Sequence, residues 1–190
     1  MCNIRGGVLL PLNQASWKEF ELCSIFPIIQ RGKRLKTADH VSGNKPYVSS
    51  SAMNNGVDNF IANKTGVREF GNCITIANSG SVGRAFYHPY DFVASDHVTQ
   101  LKNDGLSRRM YTFLLPLISR LSEKYNFNHE INDIRIRREK ILLPATDDGE
   151  PDWGYMDEYI REREDRLIQE YKEYIGKYFH ERAEFGKNLN

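Results

Sequence analysis

Apolar positions come in short bursts through the first half of the chain and at helical spacing through the second. Bursts rich in β-branched or aromatic residues, bounded by Gly, Asn, Pro or Asp, predict strands at residues 46–49, 57–62, 73–77, 84–87, 92–94 and 97–101. Ahead of them, Ser16 is placed to cap a short helical turn starting at Trp17, and Ser24-Ile25-Phe26-Pro27-Ile28-Ile29 reads as a strand. Asn54-Asn55-Gly56 and Ser79-Gly80-Ser81 carry turn chemistry. From residue 107 to 125 the apolar positions Met110, Phe113, Leu114, Leu117, Ile118 and Leu121 recur at 3.6-residue spacing, which predicts a core-facing helix. Pro116 is expected to kink or divide it. Residues 131–136 fit either element, and residues 140–143 read as a last strand stopped by Pro144.

The polar run Asp147-Asp148-Gly149-Glu150-Pro151-Asp152 then marks a boundary between a body, residues 1–152, and an extension, residues 153–190. Beyond it one long helix is predicted over about residues 155–185, with Asp152 as its cap and Asp157 and Glu158 at its positive end. Met156, Ile160, Leu167, Tyr171, Tyr174 and Tyr178 form one stripe, with Ile168, Ile175 and Phe179 beside it, close to a heptad seam. Such a rod is about 45 Å long, more than the expected diameter of the body. It is therefore expected to project and to need a partner for its seam. The alternative is that it folds back on its own domain.

Composition narrows the class. The chain has 190 residues, of which 40% are hydrophobic and 27% charged, with 10 Phe, 10 Tyr and 2 Trp, so a folded core is expected. No apolar run approaches membrane-spanning length, and Val8-Leu9-Leu10-Pro11-Leu12 is too short for the core of a signal peptide. Cys2, Cys23 and Cys73 are odd in number and far apart, which suits a reducing, cytoplasmic setting. The net charge of +1 hides an asymmetry. Residues 1–146 hold 19 Lys and Arg against 12 Asp and Glu, a balance of +7, whereas residues 147–190 hold 7 against 13, a balance of −6. A basic body suits a polyanion, while the acidic extension suits something else.

Catalytic patterns are missing. The sequence has no GxGxxG, P-loop Lys, HExxH or GxSxG. Gly80-Ser81-Val82-Gly83 lacks the Lys-Ser/Thr pair of a phosphate loop and precedes strand-like residues, so a hairpin turn is expected there. Asp96 and His97, with His88 and Asp91 nearby, make a poor metal site, because neighbours on a strand point to opposite faces. Pro151-Asp152 with Glu170-Tyr171-Lys172 matches the spacing of a metal-dependent nuclease motif. Yet Glu170 sits in a helical pattern, about 27 Å of helix from Asp152, and the two cannot converge on one ion. No methyltransferase motif is present either. No cofactor is expected.

What the body does carry is chemistry for phosphates and base edges. Arg31-Gly32-Lys33-Arg34-Leu35-Lys36 puts four cations in six residues, and Arg135, Arg137 and Arg138 form a second cluster. Ser49, Ser50, Ser51, Asn54 and Asn55 offer short hydrogen-bonding groups in turns, and Arg84 follows a Gly turn. Lys and Arg on phosphates give affinity, and Arg, Asn or Ser at base edges give discrimination. The ordinary alternative for either cluster is a solvated charged surface.

These residues also fall in a familiar order. Trp17-Lys18-Glu19-Phe20-Glu21-Leu22, Ile25-Phe26 and Arg31-Gly32-Lys33-Arg34-Leu35 are followed by Pro46-Tyr47-Val48-Ser49, Asn54-Asn55-Gly56-Val57 and Ser79-Gly80-Ser81-Val82-Gly83. Ala85-Phe86-Tyr87-His88, Ala94-Ser95-Asp96-His97-Val98, Leu142-Leu143-Pro144 and Gly149-Glu150-Pro151-Asp152-Trp153-Gly154-Tyr155-Met156 complete the series. The sequence resembles a target recognition domain of the DNA specificity subunit of type I restriction–modification systems, with related subunits in some type II systems.

The resemblance implies a mixed α/β (α+β) recognition domain of short strands and a core helix, which reads one half of a split site on double-stranded DNA. It implies a long, coiled-coil-like spacer helix that sets the distance between two such domains, and catalysis by separate methyltransferase and restriction subunits. The chain holds one domain and one helix where a typical subunit holds two of each, so it resembles a half-subunit or a part of a larger one. A half-subunit would form a homodimer through Met156, Ile160, Leu167, Ile168, Tyr171, Tyr174, Ile175 and Tyr178 and read a palindromic bipartite site. Candidate DNA-contacting residues are Lys33, Arg34, Lys36, Ser50, Asn54, Asn55, Ser81 and Arg84, with Arg137 and Arg138 as phosphate anchors. The competing reading is a protein–protein adaptor, or a regulatory decoy derived from a specificity subunit, without DNA binding of its own.

Overall fold

A computed structural model describes residues 4–5, 8–125 and 130–187; Cys2 and the last residues of the expected extension lie outside the described residues. In chain order the elements are β1 (Ile4–Arg5), β2 (Val8–Leu9), β3 (Trp17–Glu21), α1 (Leu22–Ile25), β4 (Ile28–Arg31), β5 (Ser42–Val48), β6 (Val57–Ile61), β7 (Glu69–Phe70), β8 (Cys73–Ala77), β9 (Ala85–His88), β10 (Phe92–Ala94) and β11 (Val98–Lys102). They continue with α2 (Arg108–Ser119), α3 (Leu121–Lys124), α4 (Asp133–Arg138), β12 (Lys140–Pro144) and α5 (Trp153–Lys187). Short 3-10 turns lie at Thr37–Asp39 and Asn54–Gly56.

Two four-stranded sheets make the body, in the orders β6-β5-β10-β7 and β4-β11-β8-β9. Strand β8 shows why they stack. All five of its residues are buried, so both of its faces are covered. Ile74 and Ile76 join Ile29, Leu101 and the helix residues Tyr111, Leu114 and Ile118 in the main core. Cys73 faces the other way, with Val98, and packs on Phe92, Ala94 and Val48 of the second sheet. The result is three layers: helices, sheet, sheet. Tyr111 anchors the helix layer, stacked between Phe26 at 6.5 Å and Tyr87 at 5.1 Å between ring centroids.

Two local expectations are corrected and a third is narrowed. The helical turn at Ser16-Trp17 is instead strand β3, paired antiparallel with β12 from Trp17 opposite Pro144 to Glu21 opposite Lys140. The Ser16 carbonyl accepts from the Ala145 N–H at 2.8 Å, a bond to a partner more than a hundred residues away that a local cap signal cannot register. The predicted strand over residues 24–29 starts only at Ile28, because Leu22–Ile25 closes one helical turn and Pro27 follows it. Pro116 does not divide its helix. Helix α2 runs on through it to Ser119, held by the burial of Phe113, Leu114 and Ile118, and the break falls at Arg120. Residues 131–136 resolve as helix α4, capped by Asn132, whose side-chain oxygen accepts from the Ile134 and Arg135 N–H groups at 3.1 and 2.8 Å.

Helix α5 is 35 residues long, about 52 Å at 1.5 Å per residue. Asp152 caps it, accepting from the Tyr155 N–H at 3.0 Å. Its first three turns dock on the body. Tyr155 and Met156 are fully buried, Tyr159 and Ile160 pack at the core edge, and Glu164 accepts from Arg108 and Arg109 at 2.7 Å each. Farther along the stripe is bare, from Leu167 at 65% exposure to Tyr178 at 42%. The helix thus both packs back and projects. Met156 is thereby removed from the expected pairing surface, because the body already buries it, and Ile160 is half-covered there.

Candidate nucleic-acid interface

The body has two ends, and they differ in chemistry. In the middle sheet Val98 of β11 pairs with Ala77 of β8, and Ile76 pairs with Ala85 of β9. The loop over residues 78–84 therefore leaves the same end as the turn before Val98. Gly83 is in close approach there to the Ser122 backbone, so the C-terminal end of α2 lies at this end too. The N-terminal end of α2, where Arg108 and Arg109 grip Glu164, lies at the other end, about 18 Å away for a 12-residue helix. Loops and spacer root occupy opposite ends.

Four separate segments converge on the loop end. The Lys33 N–H donates to the Ala94 carbonyl at 3.0 Å, and the Gly32 N–H to the Val98 carbonyl at 2.9 Å, which pins the start of the basic loop to the β10–β11 turn. A side chain at Gly32 would run into the Ser95 and Ala94 carbonyls, so only glycine permits this approach. The Ser95 N–H donates to the Val48 carbonyl at 2.9 Å and the Ser81 N–H to the Ser50 carbonyl at 3.1 Å, joining the loops after β5 and β8 to the same face. Asn54, Asn55 and Gly56 all take left-handed backbone angles, with φ of 50°, 54° and 78°, a tight reversal that leaves both Asn side chains in solvent. His97 is bonded through Nδ1 to Ser79 Oγ at 2.5 Å.

The structure therefore brings Lys33, Ser50, Asn54, Asn55, Ser81 and Arg84 to one end, with Arg34 and Lys36 exposed in the loop that Lys33 opens. Arg137 and Arg138 stand to the side, on α4, where Arg137 donates to the Ile29 carbonyl of β4 at 2.8 Å. Sequence reasoning missed three residues. Ser79 with His97 was visible only as turn and metal candidates. Arg68 carried no signal at all, because it sits alone in sequence and reaches the Arg31 carbonyl only through the pairing of β7 beside β10.

The residues weighed for catalysis are otherwise engaged. His88 is buried, its Nε2 2.9 Å from Thr75 Oγ1 and its Nδ1 3.2 Å from the Tyr90 hydroxyl, and burial pushes its pKa down to about 4. Asp152 caps α5 while Glu170 lies exposed on the same helix, about 27 Å along. Among the described residues no three His, Cys, Asp or Glu gather as a metal site, and no helix is long and apolar enough to cross a membrane.

Comparison with known proteins matches residues 14–173 to the family model described as type I restriction modification DNA specificity domain. The chain is 34% identical over 162 residues to the type II restriction enzyme specificity subunit S.BcgI of Heyndrickxia coagulans, an alignment covering 84% of this chain and 47% of that protein. It therefore spans about half the length of that relative. Its fold is shared with the S subunit of a type I restriction–modification system from M. genitalium, at TM-score 0.57, 18% identity, 85% of this chain and 42% of that one. The same holds for the HsdS subunit of Thermoanaerobacter tengcongensis, at TM-score 0.55, 14% identity, 87% of this chain and 41% of that one. With the mixed α/β body and long terminal helix found here, these matches place the chain in the type I restriction–modification DNA specificity family.

Proposed function

We propose that this chain is the DNA-reading unit of a restriction–modification specificity subunit, with residues 1–152 as reader and residues 153–190 as spacer. The observation that carries the reading is the gathering of Lys33, Ser50, Asn54, Asn55, Ser81 and Arg84 from three loops on the end opposite the spacer root. Turn-borne Ser and Asn groups reach base edges while Lys33, Arg34 and Lys36 neutralise phosphate. The chain makes and breaks no bonds. Methyltransferase and restriction subunits supply the chemistry in the cytoplasm, and no cofactor is held here.

Two copies pair through Leu167, Ile168, Tyr171, Tyr174, Ile175 and Tyr178, the exposed part of the stripe together with half-covered Ile175. Equal readers on a two-fold axis take equal half-sites, so the pair reads a palindromic bipartite sequence. Anisotropy titration with a labelled random duplex at low salt, together with light scattering after size exclusion, tests both parts. Uptake that falls steeply with salt and a dimer mass support the proposal. Pairing without uptake of duplex marks an adaptor instead, and a clean monomer at high micromolar concentration removes the pairing.

A further inference from the structure

Strand β4 is an outer strand of its sheet, so its outward carbonyls need partners from elsewhere. Two arginines provide them. Arg137 of α4 donates to the Ile29 carbonyl at 2.8 Å, and Arg68, just ahead of β7, donates to the Arg31 carbonyl. Arg31 closes the strand, with its Nε 3.3 Å from Asp133 Oδ1. The three guanidinium groups line one open groove of about 420 Å³, in which Asp133 is the single carboxylate. Three positive charges against one negative leave the groove with an excess of two. A guanidinium has five N–H donors, so a bond to one carbonyl helps to fix its position and engages only one of the five.

We propose that this groove is a phosphate seat for the backbone of duplex DNA, formed by Arg31, Arg68 and Arg137. The inference rests on the DNA-reading proposal above and adds a site to it. The carbonyl bonds pre-order Arg68 and Arg137, so little side-chain freedom remains to be lost when a phosphate arrives. The position suits a track rather than an isolated anion site. Arg31 is followed at once by Gly32 and then by exposed Lys33 and Arg34, so positive charge runs without a break from the groove onto the loop end. Asp133 is a built-in competitor: the phosphate displaces it from Arg31.

Substitutions with opposite signs test this. The full chain is titrated with a labelled random-sequence duplex at several KCl concentrations, and the slope of log K against log salt is read. Arg31→Gln is expected to lower the slope by about one and to weaken binding several-fold, whereas Arg31→Lys keeps the slope. Asp133→Asn is expected to tighten binding by about two- to threefold, an outcome that a misfolded variant would not give. The Arg31–Asp133 pair is on the surface, so neither change threatens the fold. If the unaltered protein takes up duplex while Arg31→Gln and Asp133→Asn bind with unchanged slope and affinity, the groove is no phosphate seat and the loop-end reading survives. If the unaltered protein takes up no duplex at low salt, the DNA reading itself fails and takes the groove with it.

Discussion

His88 gives the body a stability that depends on pH. The side chain is fully buried between Thr75, Tyr90 and Phe92, and burial lowers its pKa to about 4 from the ordinary 6.5. The folded state therefore holds a neutral imidazole where the unfolded chain takes up a proton. The stabilising contribution is complete above the unfolded pKa, declines as pH falls from about 6.5, and is gone below about 4. A difference of this size corresponds to roughly 3 kcal/mol at the acid limit, and the linkage relation gives roughly 2 kcal/mol lost between pH 8 and pH 5. Urea unfolding at these two pH values measures it. Carboxylates elsewhere also titrate in this window, so the informative quantity is the difference between the protein and His88→Gln, which has no proton to gain. Gln removes that part of the acid sensitivity while lowering stability at pH 8 through lost packing. If both proteins lose the same free energy between pH 8 and pH 5, the argument from His88 is refuted.

Further perturbations test separate links. Gly32→Ala forces a methyl group against the Ser95 and Ala94 carbonyls and should cost about 1–3 kcal/mol in chemical denaturation while loosening the Lys33 loop. Asp152→Ala removes the cap of α5 and should cost about 1–2 kcal/mol, read as a lower thermal midpoint. Tyr171→Asp, on the bare part of the stripe, should abolish the pairing proposed above, read as a monomer mass in light scattering with an unchanged far-ultraviolet spectrum.

Legibility in the sequence followed the range of the forces involved. Strands β8 and β10 fall within the bounds that their apolar runs predict, because a fully buried strand is apolar at nearly every position, Thr75 being the exception that His88 satisfies. Helix α2 announced itself through its 3.6-residue spacing, and its Ser107 cap accepts from the Met110 N–H at 3.2 Å. The failure at Trp17 and the undivided helix at Pro116 share one cause: distant packing partners outweighed a local signal. The same limit applies to function. Lys33 and Arg34 stood out as part of a run of cations, but Arg68 is a lone cation, and only the fold gives it neighbours. On α5 the pattern showed a continuous stripe but not where the body stops covering it, since Met156 and Tyr171 are alike in hydrophobic pattern and opposite in burial.

That division of α5 has a mechanical consequence. A helix joined to its domain by a flexible hinge would let the reader swing, and pairing of the rods would then fix no distance between half-sites. Here the root is held by two buried side chains, Tyr155 and Met156, by the Tyr155 hydroxyl on the Leu10 carbonyl at 2.7 Å, and by Glu164 across Arg108 and Arg109. These holds span about three turns on one side of the helix, enough to set both its tilt and its rotation about its own axis. The rotation matters most, because it decides which way the bare stripe faces relative to the loops. Cutting the Glu164 clamp should therefore leave half-site affinity intact and relax the preferred distance between half-sites. Glu164→Gln, compared with the unaltered protein on duplexes whose two half-sites are separated by a graded number of base pairs, reads this directly: a spacing optimum that stays equally sharp would show that the clamp does not set the geometry.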